Sequence, residues 1–356
     1  MASSNISEQF VFDNQTWSLP KLVSPVATSD KTTELIIQVF TIINNVILCS
    51  VFGATGIVAN TLNICVFLKQ GLNSSITLSF LAISISDVFS LLALLWRNIC
   101  LDVYINSLLP DVVLSEFEYL TAAWPHGISA RITSWITVYI TAERCLSIAA
   151  PLKVKQIVTP RRTVIVLLSI FLVNMLSLVP EYSTVYYDWK YYPDRNKTIL
   201  GLAFRGNRAA TQSLVFYFLT AFAIGVFISV TTFTCVLVYK LKQTSKWRQS
   251  STSDQAQNES ITARDKKIVA LVISVATVLM ICYTPTVILS IFTVSIPGFS
   301  VSGKYDKYFK TSWSFAFLLH AINSNMNFIL YFKMSSSYRN KFKELLCFRN
   351  KNKETT

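Results

Sequence analysis

Long apolar runs separated by short polar segments dominate the chain. Two runs carry a single charge each, Asp87 within residues 74–96 and Arg131 within residues 119–142. Five more contain no Asp, Glu, Lys or Arg: residues 35–68, 163–180, 209–239, 268–303 and 311–332. Because roughly 20 apolar residues suffice to cross a bilayer as a helix, the pattern predicts an all-α membrane protein with a seven-transmembrane helix bundle.

The segments around these runs set the expected domain limits. Residues 1–35 form a polar N-terminal segment, residues 36–334 the seven-span domain, and residues 348–356 a short tail. Between them, residues 335–347 place basic and apolar side chains at helical spacing, which predicts a short amphipathic helix on the membrane surface. Cys347 at its end is positioned for palmitoylation, although a plain free thiol explains it equally well.

The charge distribution predicts orientation and excludes one class of partner. The net charge of +13 would suit nucleic acid, but the charges lie in short segments between apolar runs, so we expect membrane lipids and no nucleic acid as partners. Of the basic residues, 20 lie on the side that holds the C-terminus and 10 on the other. The positive-inside rule therefore predicts a multi-pass plasma-membrane protein with an extracellular N-terminus and a cytoplasmic C-terminus. Glycosylation sequons at Asn5, Asn14 and Asn196 fall on the predicted outer side.

An acid within the second span is the first candidate functional residue. Asp87 is costly in a membrane, and neighbouring spans offer it hydroxyl and amide groups: Asn60, Thr133, Asn323, Ser324 and Asn327. Oxygen ligands of this kind suit a small hard cation such as sodium. The alternative is a protonated or hydrogen-bonded Asp that joins helices, and the residues alone leave both open.

Charged residues and a proline mark the predicted cytoplasmic half. Glu143 and Arg144 close the third span, where on charge alone they would be an ordinary membrane flank. Asp265 begins the sixth span on the same side, so that Arg144 and Asp265 could form an interhelical ion pair. Pro285 follows Tyr283 within the sixth span and predicts a kink, about which the cytoplasmic end of that helix can swing.

Five short motifs, in order and on the right spans, resemble those of rhodopsin-like (class A) G-protein-coupled receptors, and the likeness covers about residues 36–348. They are Gly56-Ile-Val-Ala-Asn60, Ser84-Ile-Ser-Asp87, Glu143-Arg144-Cys145 with Pro151 at the family spacing, Cys282-Tyr283-Thr284-Pro285 and Asn327-Phe-Ile-Leu-Tyr331. The resemblance implies a receptor for an extracellular ligand that activates a heterotrimeric G protein as the sixth helix moves outward. It also implies a sodium site at Asp87, Thr133, Asn323 and Asn327.

Several positions depart from that family. Tyr119 stands where the family has the outer cysteine of the third helix, and the loop 181–208 lacks the partner cysteine. Tyr283 replaces a tryptophan and Phe328 a proline. The pattern looks like divergent invertebrate receptors, including molluscan chemosensory receptors and their neuropeptide-receptor relatives. Without the disulfide, we expect packing and loop contacts alone to hold the outer face, which would be unusually mobile.

The predicted ligand pocket is basic. The outer half of the third span has no acid, which disfavours a biogenic amine, and the seventh span has no lysine for a retinal Schiff base. The basic set is Arg97, His126, Arg131 and His320, and the pocket is completed by Tyr283, Thr286 and Phe317. The set favours a peptide or chemosensory small molecule with a carboxylate or other electron-rich group. Alternatively, Arg97 snorkels outward and Arg131 pairs internally.

Two other classes of membrane protein fit the sequence less well. A transporter or channel is expected to have internal repeats, broken helices or charges along a transport path. The two halves of this chain show no similarity. A membrane enzyme is disfavoured because the chain has two histidines and no HExxH, CxxC or nucleophile-elbow motif. We therefore expect no enzymatic activity and no cofactor other than a sodium ion.

Overall fold

The computed structural model describes residues 29–193, 196–206, 208–249, 256–300 and 303–351. The chain divides into two units, residues 1–39 and 40–356, and every contact discussed below lies within the second. Its described part is mostly helical, which confirms the predicted all-α membrane fold. The first span comprises α1 (Ser29–Ile42), a π-helical turn (Ile43–Leu48) and α2 (Cys49–Gln70).

The remaining elements follow in chain order. The second span is α3 (Ser75–Leu101), followed by the short helix α4 (Val103–Leu108). The third comprises α5 (Leu114–Glu118), a π-helical turn (Tyr119–Ala123) and α6 (Trp124–Ala149), and α7 (Pro151–Ile157) follows it. The fourth is α8 (Pro160–Leu176), extended by α9 (Val179–Thr184). After strands β1 (Val185–Tyr192) and β2 (Lys197–Phe204) come the fifth span α10 (Arg208–Gln249), the sixth α11 (Ala256–Ser295), the seventh α12 (Asp306–Met334) and α13 (Ser336–Lys351).

The seven spans differ in polarity and in how much of their surface is exposed. Among the described helices, those of the first, second, fourth, fifth and sixth spans are long and apolar enough to cross a membrane by themselves. The third and seventh are more polar because they bury hydroxyl and amide side chains, such as Thr133 and Asn323, inside the bundle. The fourth span shows the opposite distribution, since Ile165 and Leu168 are 63% and 62% exposed on a face that suits lipid.

Isoleucines of the third span form the centre of the bundle. Ile128, Ile132, Ile136 and Ile140 are spaced four residues apart on α6, and each is almost completely buried. This spacing places them on one helix face. Apolar side chains of the other spans pack around these isoleucines. The third span therefore forms the centre of the bundle, and the neighbouring polar side chains are positioned relative to it.

The loop 181–208 contains a β-hairpin that the sequence analysis did not predict. The strands β1 and β2 pair antiparallel, from Val185 opposite Phe204 to Tyr192 opposite Lys197. Backbone hydrogen bonds attach β2 to the segment before the third span, from Val113 N–H to Leu200 O and from Leu200 N–H to Asp111 O, both 3.0 Å. We call this end of the bundle the hairpin end, and the end that carries Arg144 and α13 the Arg144 end.

Candidate functional site

A polar core at mid-bundle brings the predicted sodium-site residues together. Asp87 is 2% exposed and accepts hydrogen bonds from Thr133 Oγ1 and Asn327 Nδ2, each at 2.9 Å. A small cavity beside it is lined by Asp87, Ser90, Thr133, Tyr283, His320 and Asn323, among others. The side-chain oxygens Oδ1 of Asn323 and Asn327 are buried without a hydrogen-bond partner among the described residues. Buried polar atoms are normally paired, and carboxylate and amide oxygens suit a hard cation, so this set fits sodium.

A second network joins the first span to the seventh and to α13. Asn60 donates to Gly56 O at 3.0 Å and to Ser324 O at 3.1 Å. The hydroxyl of Tyr338 on α13 donates to Asn63 Oδ1 at 2.6 Å, and burial raises the pKa of this phenol. The sequence analysis lists Asn60 among the polar neighbours of Asp87. Its amide joins the first span to the seventh span, beside the polar core.

At the Arg144 end, the third span carries an ion pair between neighbouring residues. Arg144 Nη2 contacts Glu143 Oε1, and Glu143 is 4% exposed. The side chain of Asp265, the other predicted partner, lies outside the described residues, so the pairing of Arg144 with Asp265 stays a prediction. Pro285 lies inside α11, as predicted.

Tyr331, the last residue of the seventh-span motif, is buried and contacts several aromatic rings. Its ring centroid lies 4.8 Å from that of Phe80 and 5.2 Å from that of Phe67. The Tyr331 hydroxyl is buried without a hydrogen-bond partner in the part of the chain that the structure describes. A buried hydroxyl without a partner is costly, so a state of the bundle that gives it one would be favoured.

At the hairpin end, Arg97 is buried beside an acid. The Arg97 side chain is 8% exposed, and its Nε lies 3.5 Å from Oε2 of Glu118. Its Nη1 donates to Asn45 Oδ1 at 3.2 Å, and its guanidinium lies over the ring of Phe317, 5.2 Å from the centroid. The suggestion that Arg97 snorkels outward is therefore wrong. The expectation of no acid in the outer half of the third span is also wrong, because the helix begins at Leu114 and includes Glu118.

From Arg97, a series of ring contacts leads to the polar core. The ring of Phe317 lies 4.7 Å from that of His126, His126 lies 5.6 Å from His320, and His320 lies 6.0 Å from Tyr283. We call these four residues the ring column. His320 and Tyr283 also line the cavity beside Asp87. The column thus connects the Arg97–Glu118 pair with the polar core and with the sixth span, next to Pro285.

Hydrogen bonds hold the two histidines and leave one nitrogen of each ring open. Nδ1 of His126 lies 3.0 Å from both the carbonyl oxygen and the hydroxyl of Ser90. Nε2 of His320 lies 2.9 Å from the hydroxyl of Thr286. His126 Nε2 and His320 Nδ1 are buried and have no hydrogen-bond partner among the described residues.

Arg131 lies apart from the other predicted basic residues. Its Nη2 points to the fourth span and lies 3.5 Å from the hydroxyl of Ser177. This agrees with the alternative hypothesis for Arg131, in which its side chain pairs inside the bundle. The predicted basic set is therefore divided: Arg97 faces Glu118, Arg131 faces Ser177, and only His126 and His320 stack on each other.

A buried triad joins three spans where the family disulfide is missing. The hydroxyl of Tyr119 donates to Glu181 Oε1 at 2.6 Å, and Arg208 Nη1 lies 3.1 Å from the same oxygen. Arg208 Nη2 also donates to the Tyr119 hydroxyl at 3.1 Å. Glu181 is completely buried. Glu181 and Arg208 are the first and last residues of the loop 181–208. An ion pair and hydrogen bonds of these loop ends therefore join the third, fourth and fifth spans at this end.

The hairpin is fastened to the start of the third span. Tyr187 stacks on Phe117 with ring centroids 4.1 Å apart, and its hydroxyl donates to Phe117 O at 3.1 Å. Burial raises the pKa of Tyr187 to about 12, so this donor keeps its proton at neutral pH. Oε2 of Glu116 accepts from Tyr192 Oη at 3.0 Å and from Leu202 N–H at 2.5 Å.

The predicted modification sites differ in what the structure says of them. Asn5 and Asn14 lie outside the described residues, as does the side chain of Cys347. Asn196 is exposed in the turn between β1 and β2 with a φ of 47°, a left-handed conformation that Asn tolerates better than most residues. Modification at each of the four sites stays a prediction.

The chain was compared with known proteins. None of the curated proteins matches it. The model of the family described as "Serpentine type 7TM GPCR chemoreceptor Srw" matches residues 45–349, from the π-helical turn of the first span into α13. Because this match covers most of the chain and the described helices form the expected bundle, the protein belongs to this family of seven-transmembrane G-protein-coupled chemoreceptors.

Proposed function

We propose that the protein binds a small extracellular molecule at the hairpin end and activates a heterotrimeric G protein at the Arg144 end. One observation carries this proposal. The ring column runs from the buried Arg97–Glu118 pair to Tyr283, which precedes Pro285 in the sixth span. A ligand that alters the pair has a packed path to the helix that is expected to move. A peptide ligand would have to reach the same pair with one of its termini or side chains.

The charge distribution supports the orientation. The Arg144 end and the segments connected to it hold 20 of the basic residues, against 10 on the other side. The positive-inside rule then places the Arg144 end in the cytoplasm of a plasma-membrane receptor. The hairpin end, with its sequon at Asn196, would be extracellular, together with Asn5 and Asn14.

The switch follows from two states of the sixth span. In the resting state, Glu143 holds Arg144, and Asp265 adds a second partner from the sixth span. A ligand favours the active state only to the extent that it binds that state more tightly. As the cytoplasmic half of α11 swings about Pro285, Arg144 is released toward the G protein and Tyr331 gains room to find a partner for its hydroxyl.

A sodium ion would favour the resting state. Asp87, Thr133, Asn323 and Asn327 would hold it, and its positive charge would compensate the buried carboxylate. On the cytoplasmic side, palmitoylation of Cys347 would anchor α13 to the inner leaflet. The five motifs support a mechanism of the rhodopsin-like type, in which these parts act together.

The test is a nucleotide-exchange assay with purified receptor and a panel of heterotrimeric G proteins. We expect exchange to rise with receptor and to fall at least about tenfold in Arg144→Ala, because a buried charge that contacts the partner is worth more than 1.4 kcal/mol. Lys341→Ala is the matched control, since Lys341 is an exposed cation at the same end that pairs with Glu344 at 3.0 Å. Exchange that is equal in wild type and Arg144→Ala would contradict the proposal.

A further inference from the structure

The Arg97–Glu118 pair is buried but incompletely bonded. The 3.5 Å between Nε and Oε2 exceeds the 2.7–2.9 Å of a charge-assisted hydrogen bond. Both atoms are buried, and neither has a hydrogen-bond partner within the described ranges. The arginine fork has five N–H donors, of which Nη1 reaches Asn45. Such unsatisfied charged atoms are costly in a folded protein and call for an explanation.

Both π-helical turns of the described chain lie at this pair. Asn45, the hydrogen-bond partner of Arg97, belongs to the turn Ile43–Leu48, and Glu118 directly precedes the turn Tyr119–Ala123. π-helical turns within α-helices are rare and occur frequently at functional sites. Here they shift the register of two spans so that an amide and a carboxylate face the same guanidinium. The Glu118 side chain is 17% exposed, which leaves one side of the pair open to solvent.

Charge balance restricts what this site can bind. The ammonium group of Lys310 also acts on Glu118, less strongly than Arg97, and it pairs with Asp306 at 3.1 Å. A ligand with only a carboxylate would pair with Arg97 and place a second negative charge beside Glu118, which would lose its main cation. A simple amine would pair with Glu118 and leave Arg97 without its acid. Breaking a buried pair in this way is strongly unfavourable. A ligand that carries both charges leaves neither side chain unpaired, and the site stays neutral.

We propose that Arg97 and Glu118 bind a zwitterionic small molecule of the α-amino acid class, with its carboxylate on Arg97 and its ammonium group on Glu118. This inference rests on the proposed function, because it names the ligand class of the same receptor. It replaces the expectation of an electron-rich or anionic ligand, which assumed a pocket without an acid. The ligand exchanges one incompletely bonded ion pair for two, each with a mobile partner that can adopt hydrogen-bonding geometry.

Ligand binding at this position also alters the ring column. To admit the ligand, the two side chains must separate, and the guanidinium of Arg97 must shift over the ring of Phe317, which lies 5.2 Å away. Phe317 contacts His126 edge to face at 4.7 Å. Separation of Arg97 from Glu118 is therefore coupled to the ring column through Phe317.

The test measures binding without any G protein. The full-length receptor is purified in detergent, and its unfolding temperature is measured with each of the L-amino acids, with their methyl esters and with their N-acetyl derivatives. We expect at least one amino acid to raise the unfolding temperature, and its singly charged derivatives to need about 30-fold higher concentration for the same rise. If no amino acid raises it, or if an ester or N-acetyl derivative acts as well as its parent, the proposal is wrong.

Two variants should change the preference in opposite directions. Glu118→Gln keeps the cation and should favour the N-acetyl derivative, whereas Arg97→Gln keeps the acid and should favour the methyl ester. The matched control is Lys197→Gln, because Lys197 pairs with Asp111 at 3.6 Å on the same end and both are more than half exposed. It should leave the preference unchanged. Equal weakening of all three compounds in both variants would mean that the pair is only structural.

The two proposals can fail separately. A receptor that binds an amino acid as described but never promotes nucleotide exchange would contradict the proposed function and leave this inference standing. Conversely, a receptor that is activated by a singly charged compound, equally in wild type, Arg97→Gln and Glu118→Gln, would overturn this inference and the route through the pair, and would leave activation of the G protein at the Arg144 end standing. The wild-type comparison of the three compounds requires no variant, so it stands even if a substitution prevents folding.

Discussion

The hydroxyl of Tyr119 donates a 2.6 Å hydrogen bond to the completely buried carboxylate of Glu181. Tyr119 stands at the position where the resembled receptors have the cysteine of their outer disulfide. Arg208 completes the contact from the fifth span, 3.1 Å from the same oxygen. A charged hydrogen-bonded cluster thus connects spans at the end of the bundle from which a covalent link is missing.

The first prediction concerns the stability of the triad. Arg208→Gln should lower the free energy of unfolding by about 3–5 kcal/mol, because it leaves the buried charge of Glu181 unpaired. Tyr119→Phe should lower it by about 3 kcal/mol, since it removes two hydrogen bonds to charged groups, one donated to Glu181 and one accepted from Arg208. Thermal unfolding of the purified receptor measures both. Lys197→Gln, at an exposed pair of the same end, should lie within about 0.5 kcal/mol of wild type. If all three variants unfolded together with wild type, the triad would not stabilise the bundle.

The sequence predicted the spans well because membrane burial is a property of single segments. A charge-free run is visible without knowledge of its neighbours, and the motifs fixed which positions face inward. Asp87, Thr133 and Asn327 meet as the resemblance implied. Here a local pattern was sufficient, because each residue lies on the inward face of a regular helix.

The pairs at the hairpin end could not be predicted in the same way. Glu118 lies one residue outside the apolar run that begins at Tyr119, so that run does not include it, and hydropathy gives Arg97 no partner in the third span. The distance between them depends on two π-helical turns, which leave no recognisable signal in hydropathy. A usable signal did exist: a buried arginine in a span requires a partner, and the nearest acids at the span ends were the candidates. The hairpin was also detectable in principle, because Val185–Tyr192 is rich in the aromatic residues that favour strands.

The second prediction concerns sodium. If Asp87 holds the ion, replacing potassium chloride with sodium chloride should stabilise the wild-type receptor by about 1.4 kcal/mol at a concentration ten times the dissociation constant. Asp87→Asn should abolish the difference between the two salts, because it removes the negative charge that the cation compensates. Asp111→Asn is the control, since its side chain is 70% exposed at the hairpin end. Unfolding temperatures in the two salts measure the effect, and equal temperatures for wild type would count against a sodium site.

The third prediction tests the orientation through the hairpin turn. Asn196 has a positive φ, so replacing it would strain the turn, whereas Thr198→Ala removes the same sequon and leaves Asn196 in place. We expect the receptor expressed in eukaryotic cells to lose one glycan, visible as a smaller mobility shift on deglycosylation. Asn73→Gln, which removes a sequon at the Arg144 end, should change nothing. If the mobility shift on deglycosylation were lost in Asn73→Gln and kept in Thr198→Ala, the receptor would have the opposite orientation.

The fourth prediction concerns basal activity. Glu143 is 4% exposed and contacts Arg144, so in the resting state it neutralises the residue expected to face the G protein. Glu143→Gln removes this charge with little change in volume and leaves Arg144 free to adopt its active position. If the pair favours the resting state by about 1.4 kcal/mol, ligand-free nucleotide exchange should rise up to about tenfold.

Glu344→Gln provides the same chemical change at an exposed pair of the same end, where Glu344 is 48% exposed and contacts Lys341. It should leave ligand-free exchange at the wild-type level. The double variant Glu143→Gln/Arg144→Ala should lose the gain, because the released arginine is what acts on the G protein. Exchange that stayed high in the double variant would mean that Glu143 restrains the receptor through a group other than Arg144. In that case, the proposed pair between Arg144 and Asp265 would not hold the resting state either.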